Sequence, residues 1–432
     1  MSGSASMPGA APSRIDEVAF DRETKGLTGI VVKGVLLSLV TFGIYRFWYI
    51  TNLRRYFWSR TIVAGSPGEY TGRGKELFLG FLVALAILVP IYLLLFGLSF
   101  AYPPLASGAG PISFFFLFFL GQYAIYRGRR YRASRTLWRG IRLGQDGSAI
   151  TYVGMALGWW LLTIVTLGIA FPWMRAVLER YRINHTLIGG SRMVSTATGG
   201  MVAKPWLLLY VVGLGPLLVS VLAFLIANKF SIPADMMLPD PHKPGQFIFN
   251  PIYAGTPLAT YGTVVGVVSA IFIPLAVLLF PYYRARETRA FMNAAALGAS
   301  RLHSTLKARQ FYWPYIIYFL TLIGFIVVFA IVIGVGTAIV ASGGGGSSGF
   351  SGMHWLIMLL IIPLYLGMLL AFAVLAVRII TVRLWRAVTD STTIQNVEAL
   401  NAVLASSRRT ASGLNEGLAD ALDVGGAIEI GF

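Results

Sequence analysis

Residues 130–154 read RYRASRTLWRGIRLGQDGSAITYVG, and the way this stretch folds decides what the rest of the chain is. Arg130-Tyr131 opens it as a helical extension, and Gly144-Gln145-Asp146-Gly147 then stands between runs that hold β-branched residues. Asp-Gly in that setting signals a hairpin, because both residues tolerate the left-handed backbone of a tight turn. The opening phrase occurs twice more. RYFWSRTIVAG at 55–65 and RYRINHTLIGG at 180–190 align without a gap on RYRASRTLWRG at 130–140. Arg55, Arg130 and Arg180 correspond, followed five residues later by Arg60, Arg135 and His185. Thr61, Thr136 and Thr186 come next, and Gly65, Gly140 and Gly190 close the copies. Such ungapped matches mark an internal repeat, with a fainter echo, LGASRLHSTL, at 297–306. Ser66-Pro67-Gly68 supplies a turn in the first copy, so each unit reads as membrane helix, Arg-Tyr extension and short hairpin.

Two of the copies are preceded by a second shared phrase, LVTFGIYRFW at 39–48 and IVTLGIAFPW at 164–173. Around them the chain is apolar: 56% of its 432 residues are hydrophobic and 12% charged, where soluble domains carry about 25% charged residues. Apolar windows at 77–101, 112–126, 205–228, 259–283, 313–341 and 354–380 predict about six membrane-spanning helices. The net charge of +18 is gathered into blocks at 50–76, 127–150, 174–204, 284–312 and 378–409, while 102–111 and 342–353 hold no Lys or Arg. This alternation is the positive-inside pattern, with the basic blocks cytoplasmic. Basic blocks flank 152–172 on both sides, so that segment, and 27–45 by analogy, is expected to re-enter or to lie in the interface. An ordinary helix end at each T-[FL]-G-I phrase is the competing reading. The expected fold is therefore an all-α polytopic membrane protein: about six spanning helices, two re-entrant or interfacial T-[FL]-G-I elements, and short cytoplasmic β-hairpins.

The segments follow from this: a polar start at 1–26, membrane units at 27–150 and 151–312, a helix pair at 313–386, and a tail at 387–432. In the tail, apolar residues at 394, 397, 400, 403 and 404 predict an amphipathic helix. The acidic end beyond it, Glu416 to Glu429, is expected to dock on the basic hairpins. The first 26 residues have no apolar core of a secretion signal. A multi-pass protein of a bacterial inner membrane, both termini cytoplasmic, is the expected setting.

The two T-[FL]-G-I phrases, Arg-Tyr-x3-[RH]-T, LGASRLHSTLKARQFYW at 297–313 and LNEGLADALDVGG at 414–426 resemble the YjgN family. The resemblance spans roughly residues 20–426. It implies a polytopic bacterial inner-membrane protein and carries no settled activity. The first phrase departs from the family pattern, with Arg46-Phe47-Trp48 where the second has Phe171-Pro172-Trp173.

Chemistry is sparse. Cysteine is absent, and none of the four His has a partner at metal-ligand spacing. No nucleophile or phosphate-loop pattern occurs, so neither enzyme activity nor a metal or cofactor is expected. All 17 Asp and Glu lie outside the apolar cores, which disfavours ion coupling through a membrane carboxylate. Thr41, Gly43, Thr166 and Gly168 are the candidate substrate positions. Arg55, Arg130, Arg135, Arg180 and His185 are candidates for anionic lipid, since guanidinium groups suit phosphate. Trp48 and Trp173 are expected interface anchors. Transport of a lipid-like, neutral or small anionic solute is the leading expectation. The alternative is a non-transporting scaffold or envelope-homeostasis factor whose basic hairpins hold anionic lipid or a protein partner. Nucleic acid is not favoured.

Overall fold

A computed structural model describes residues 17–239, 245–342 and 350–403. It corrects the all-α expectation: the hairpins are not separate appendages but join edge to edge in one antiparallel sheet of ten short strands. Strand β1 (Val18–Phe20) leads into α1 (Leu27–Val40) and α2 (Arg46–Ser59), followed by β2 (Thr61–Val63) and β3 (Ser66–Tyr70). Next come α3 (Gly74–Ala101), α4 (Pro103–Ser134), β4 (Thr136–Trp138) and β5 (Ile141–Gln145). The third stretch is α5 (Ala149–Val165), α6 (Phe171–Asn184), β6 (Thr186–Ile188) and β7 (Ser191–Ser195). The fourth holds α7 (Gly199–Leu209), a π-helical segment (Tyr210–Leu214) and α8 (Gly215–Ala227). A small ribbon follows, β8 (Met237–Pro239) with β9 (Phe247–Phe249), and then α9 (Pro257–Asn293), β10 (Ala295–Leu297) and β11 (Ser300–Ser304). The last holds α10 (Ala308–Ser342), α11 (Phe350–Leu375), a second π segment (Ala376–Thr381), α12 (Val382–Asp390) and β12 (Thr392–Gln395).

The sheet is nearly closed. Its order runs β1-β2-β3-β4-β5-β6-β7-β10-β11-β12, and an antiparallel bridge, Glu17 to Thr393, joins the last strand to the first. The register shows what this bridge is. Within a hairpin the second residue of the short strand faces the second residue of the longer one, as Ile62 faces Pro67 and Leu187 faces Arg192. Thr393 and Glu17 hold those same places. Between neighbouring hairpins Tyr70 faces Thr136, Gln145 faces Thr186 and Ser304 faces Thr392, and Phe20 faces Thr61 in the same register. Strands β12 and β1 thus form a fifth hairpin unit whose halves lie at opposite ends of the described chain.

Local chemistry explains why each helix stops where a strand begins. The threonine opening the short strand turns its hydroxyl back onto the carbonyl four residues earlier, satisfying one of the helix's terminal acceptors. Thr61 donates to Phe57 at 2.8 Å, Thr136 to Arg132 at 2.9 Å, Thr186 to Arg182 at 2.8 Å and Thr392 to Val388 at 2.6 Å. Ala295 holds the place in the fourth unit. The tight turns then fall at Ala64-Gly65 and Arg139-Gly140, all four residues having positive φ. They do not fall at Ser66-Pro67-Gly68 or Asp146-Gly147, where the sequence pointed. The glycine ending the first two copies supplies the left-handed turn position, and in the third Gly189 does so, which places Ile141–Gln145 in a strand and Asp146 just past its end.

Side chains of all five units fill the barrel. Val18, Trp138, Leu297 and Ile394 form its buried core, with Val63, Leu143, Ile188, Met193 and Leu302 packed on it. One end is closed by Val397, Leu400 and Val403 from a 3-10 turn at Val397–Ala402. Residues 392–402 are thus strand and 3-10 turn rather than one amphipathic helix, and the acidic segment beyond lies outside the described residues. Removal from water stabilises each fully buried aliphatic or aromatic side chain here by about 1.5–3 kcal/mol. At the opposite mouth, where the helices attach, Phe20, Thr61, Tyr70, Thr136, Gln145, Thr186, Ser195, Ala295, Ser304 and Thr392 are all buried.

Every helical excursion begins and ends at this barrel. Among the described residues five helices are long and apolar enough to cross a membrane, at 74–101, 199–227, 257–293, 308–335 and 363–390. This corrects the expected number. The sixth expected crossing, 112–126, lies in α4, which packs against α3. The excursions holding the T-[FL]-G-I phrases are short. The 14 residues of α1 extend about 21 Å at 1.5 Å per residue, less than the ~30 Å hydrocarbon core.

Because the chain has no cysteine, closure is directly testable. Paired strand residues bring their Cα atoms within disulfide range. Glu17→Cys with Thr393→Cys will crosslink on oxidation and raise the thermal midpoint. Glu69→Cys with Thr393→Cys will not crosslink. Absence of the first crosslink by mass spectrometry contradicts a closed ring.

Candidate functional site

The T-[FL]-G-I phrases are the tips of the two short helical hairpins, and their geometry is the same. Thr41 Oγ1 donates to the Leu37 carbonyl at 2.6 Å and accepts from the Tyr45 amide at 2.9 Å. Thr166 Oγ1 donates to Leu162 at 2.8 Å and accepts from Ala170 at 3.1 Å. One hydroxyl therefore closes the outgoing helix and caps the returning one. The next two residues are left-handed, Phe42 and Gly43, Leu167 and Gly168. Gly43 and Gly168 then donate to the carbonyls of Ser38 and Thr163, both at 2.6 Å, the long backward bond of a Schellman turn. These four candidate positions thus build the turns. The turns sit in separate hairpins, α1 packing on α2 and α11, α5 on α4 and α6. Around them the surface is apolar: Phe42 is 98% exposed, and Val40, Ile164 and Val165 are exposed as well.

The tips differ in their backing. Trp206 Nε1 donates to the Gly168 carbonyl at 3.0 Å, and a Cβ on Gly168 would stand 3.1 Å from the Tyr210 ring, whereas Gly43 has nothing within 4 Å. Left-handed strain alone predicts a cost of about 1–2 kcal/mol for Gly43→Ala. Gly168→Ala will cost measurably more in thermal unfolding of the solubilised protein. Equal losses at both positions contradict the asymmetric packing.

Trp48 and Trp173 also correspond, each lying against the glycine that starts a later helix. A Cβ on Gly74 would stand 2.7 Å from Trp48, and one on Gly199 2.5 Å from Trp173. The conserved spacing of the tryptophans within the chain thus serves helix packing at the barrel mouth.

The arginine six residues before each short strand occurs in all five units: Arg55, Arg130, Arg180, Arg289 and Arg386. Arg55 donates to the Gly72 carbonyl at 2.7 Å and Arg386 to the Arg22 carbonyl at 3.0 Å. Gly72 and Arg22 both stand two residues past their strand, so the fifth unit reproduces the contact. Arg135 Nε pairs with Glu76 at 3.0 Å, and Tyr131 donates to the same carboxylate at 2.8 Å. His185 Nδ1 lies 2.8 Å from the Tyr181 carbonyl, the rings 4.2 Å apart. Arg130 is half-buried and Arg180 exposed. The arrangement engages Arg55, Arg135 and His185 in structure and leaves Arg180 facing outward.

Buried carboxylates knit the helices together above the barrel, and composition did not reveal them. Glu287 on α9 is 1% exposed and accepts from Arg175 at 2.6 Å, Arg284 at 2.5 Å and Tyr283 at 2.9 Å. It pins the second short hairpin to α9. Glu179 pairs with Arg182 one turn along α6. Burial pushes the Glu179 carboxyl up, but Arg182, Arg129 and Arg175 outweigh it and hold it below the ordinary value of 4.5. A lowered carboxylate stabilises the fold above its unfolded pKa and loses that contribution as pH falls through the folded one. Glu179→Gln will therefore flatten the acid limb of the stability–pH curve below about pH 4.5. An acid limb identical to the parent's contradicts the assignment.

Outside the barrel the second residue of the longer strand is arginine in three neighbouring units, Arg142, Arg192 and Arg301, all exposed. Two strand spacings separate successive members, about 9.5 Å. Arg142 donates to the Ser134 carbonyl at 2.8 Å and Arg192 forms a 2.5 Å pair with Asp146. Arg139, in the turn, stacks on Trp138 and donates to Asn401 at 3.0 Å. The row is a strip of guanidinium groups on one wall, suited to phosphate or carboxylate. Sequence reasoning missed it, although arginine stands twelve residues after both Arg130 and Arg180. No group of three or more His, Asp or Glu able to hold a metal occurs among the described residues.

A family model described as bacterial protein of unknown function, DUF898, matches residues 16–421. No curated protein and no solved structure matches the chain.

Proposed function

This chain belongs to the DUF898 family, the YjgN family its motifs resemble, and from that premise we propose a membrane-seated scaffold whose basic barrel wall holds anionic lipid headgroups. The observation that carries this reading is the filled barrel, packed with side chains from all five units and closed at one end by Leu400 and Val403. A filled core offers no path along its axis. The helices fit the same reading. None of the apolar windows of 257–293 and 308–335 is buried within the protein, as expected of helices that face lipid rather than a solute path.

The positive-inside bias puts the barrel on the cytoplasmic side of an inner membrane, since the basic blocks all lie at the barrel end of the helices. The first and last described strands, β1 and β12, go to that side. There Arg142, Arg192 and Arg301 meet the negative surface potential of anionic lipid, worth ~1 kcal/mol per arginine. The role is structural rather than enzymatic and calls for no cofactor.

The test titrates soluble short-chain phosphatidylglycerol against protein held in zwitterionic nanodiscs. Each of Arg142→Gln, Arg192→Gln and Arg301→Gln will weaken binding about fivefold at low salt, and the loss will shrink as salt rises. Unchanged affinity in the triple variant refutes the reading.

Transport of a lipid-like or small anionic solute is the second reading, and one observation favours it. Two long helices are broken by π-helical segments, at Tyr210–Leu214 and Ala376–Thr381, of the kind that recur at functional sites. Lipid scrambling or solute flux in reconstituted liposomes supports this reading, and silence across a broad panel removes it.

A further inference from the structure

The connection between α8 and α9 lies at the end of the helices away from the barrel and takes no part in the arginine wall. Its sequence reads as a near-neutral loop, with two Lys and two Asp between 229 and 258. The fold arranges it otherwise. Helix α8 ends at Ala227, the chain turns through Lys229 and Phe230, both left-handed, and then forms the β8–β9 ribbon, Met237 facing Phe249 and Leu238 facing Ile248. Every residue of both strands is exposed.

An isolated two-stranded ribbon is marginal in water, and among the described residues neither strand of this one is covered. The polar groups turn inward instead. Asn250 is buried and donates to the Asp235 carbonyl at 3.0 Å, and Tyr253 donates to the Asp235 carboxylate at 2.8 Å. Asn250 Oδ1 also accepts from the Ile252 amide at 3.1 Å. With the polar groups occupied, Phe247, Phe249 and Ile252 point outward, Ile252 at 77% exposure. Residues 245–256 contain no charged side chain.

We infer that this ribbon is a lipid-binding surface seated at the headgroup–acyl boundary of the leaflet opposite the barrel. Two observations choose lipid over another occupant. The chain runs into and out of the patch through α8 and α9, whose residues Val219, Ile226, Val264 and Val267 are exposed and apolar, as in lipid-facing spanning helices. Lys229 also stands at the rim, where an ammonium reaches headgroups while its stem covers apolar surface. The inference rests on the membrane reading and is independent of the arginine wall. An apolar surface of this kind binds the interface in proportion to its buried area. The ribbon therefore fixes the depth of α8 and α9, which two apolar helices alone leave free to slide and tilt.

The cysteine-free chain allows a direct test in liposomes. Phe247→Cys and Ile252→Cys, each labelled with a polarity-sensitive fluorophore, are compared with labelled Glu398→Cys, exposed on the 3-10 turn at the far end of the barrel, as the aqueous reference. Blue-shifted emission at 247 and 252, loss of iodide quenching with iodide on both sides, and quenching by shallow nitroxide lipids are expected. Water-like emission with full iodide quenching overturns the proposal. Blue-shifted emission that nitroxide lipids do not quench also overturns it, since the patch is then covered by protein, such as a second copy. Neither result bears on the barrel wall, which the phosphatidylglycerol titration reads separately.

Discussion

Five backbone hydrogen bonds close the seams between units where the chain leaves the sheet for its helices. The amides of Asp21, Thr71, Asp146, Thr196 and Thr305, each just past its longer strand, donate to the carbonyls of Arg60, Arg135, His185, Ala294 and Ser391. Each carbonyl belongs to the residue that ends the neighbouring unit's helix. The bonds continue the ladder between units to the point where the chain leaves for its helices. Strands of three to five residues do not stand alone in water, and a lone hairpin of them is marginal. Closure removes nearly every open edge at once and gives the five helical excursions a common base. Without it, α1–α2 and α5–α6 are short hairpins with exposed apolar tips and no shared base, held by contacts such as those with α11, α7 and α9.

The mouth of the barrel shows what closure demands of the side chains. Helix ends and strand ends crowd into one buried layer, and each polar group there needs a partner. Threonine supplies one by folding onto its own helix, Arg55 and Arg386 by reaching the carbonyl past their own unit's longer strand. Glu287 and Glu179 are held by arginines rather than by water. Removing one member of such a buried pair strands the other, at a cost of about 3–5 kcal/mol. These charges are structural commitments. The arginines of the outer wall are exposed, which is why they, and not the buried set, carry the proposed binding role.

Much of this was legible in the chain, and the misses have physical causes. Arg-Tyr, Thr and Gly at fixed spacing located three hairpins because each residue does one local job. The turns were misplaced for a related reason. Asp146-Gly147 is a strong turn pair, but Gly140 was already in register to turn two residues after Trp138. Sheet closure was not legible, since pairing between units is written in register rather than in composition. The fifth unit is invisible to any search along the chain, because Thr393 and Glu17 are neighbours only in space. Spacing at 394, 397, 400 and 403 does mark buried residues, yet it is shared by a strand and a 3-10 turn that plug the barrel. Glu287 was hidden by its setting: a carboxylate beside arginines in a basic block reads as solvated until the fold brings Arg175 against it.

The split unit also sets an order of events during synthesis. Strand β1 emerges among the first segments and finds β2 soon after, but its other edge waits for β12. By then every helical excursion has been made. The ring thus closes only once insertion of the described chain is complete, and the last pairing has the greatest sequence separation and the slowest search. Until that moment β1 and β11 are open edges beside a membrane. A chain stalled or cut before Thr392 carries that exposure permanently, so the last described strand is also the one that hides both edges.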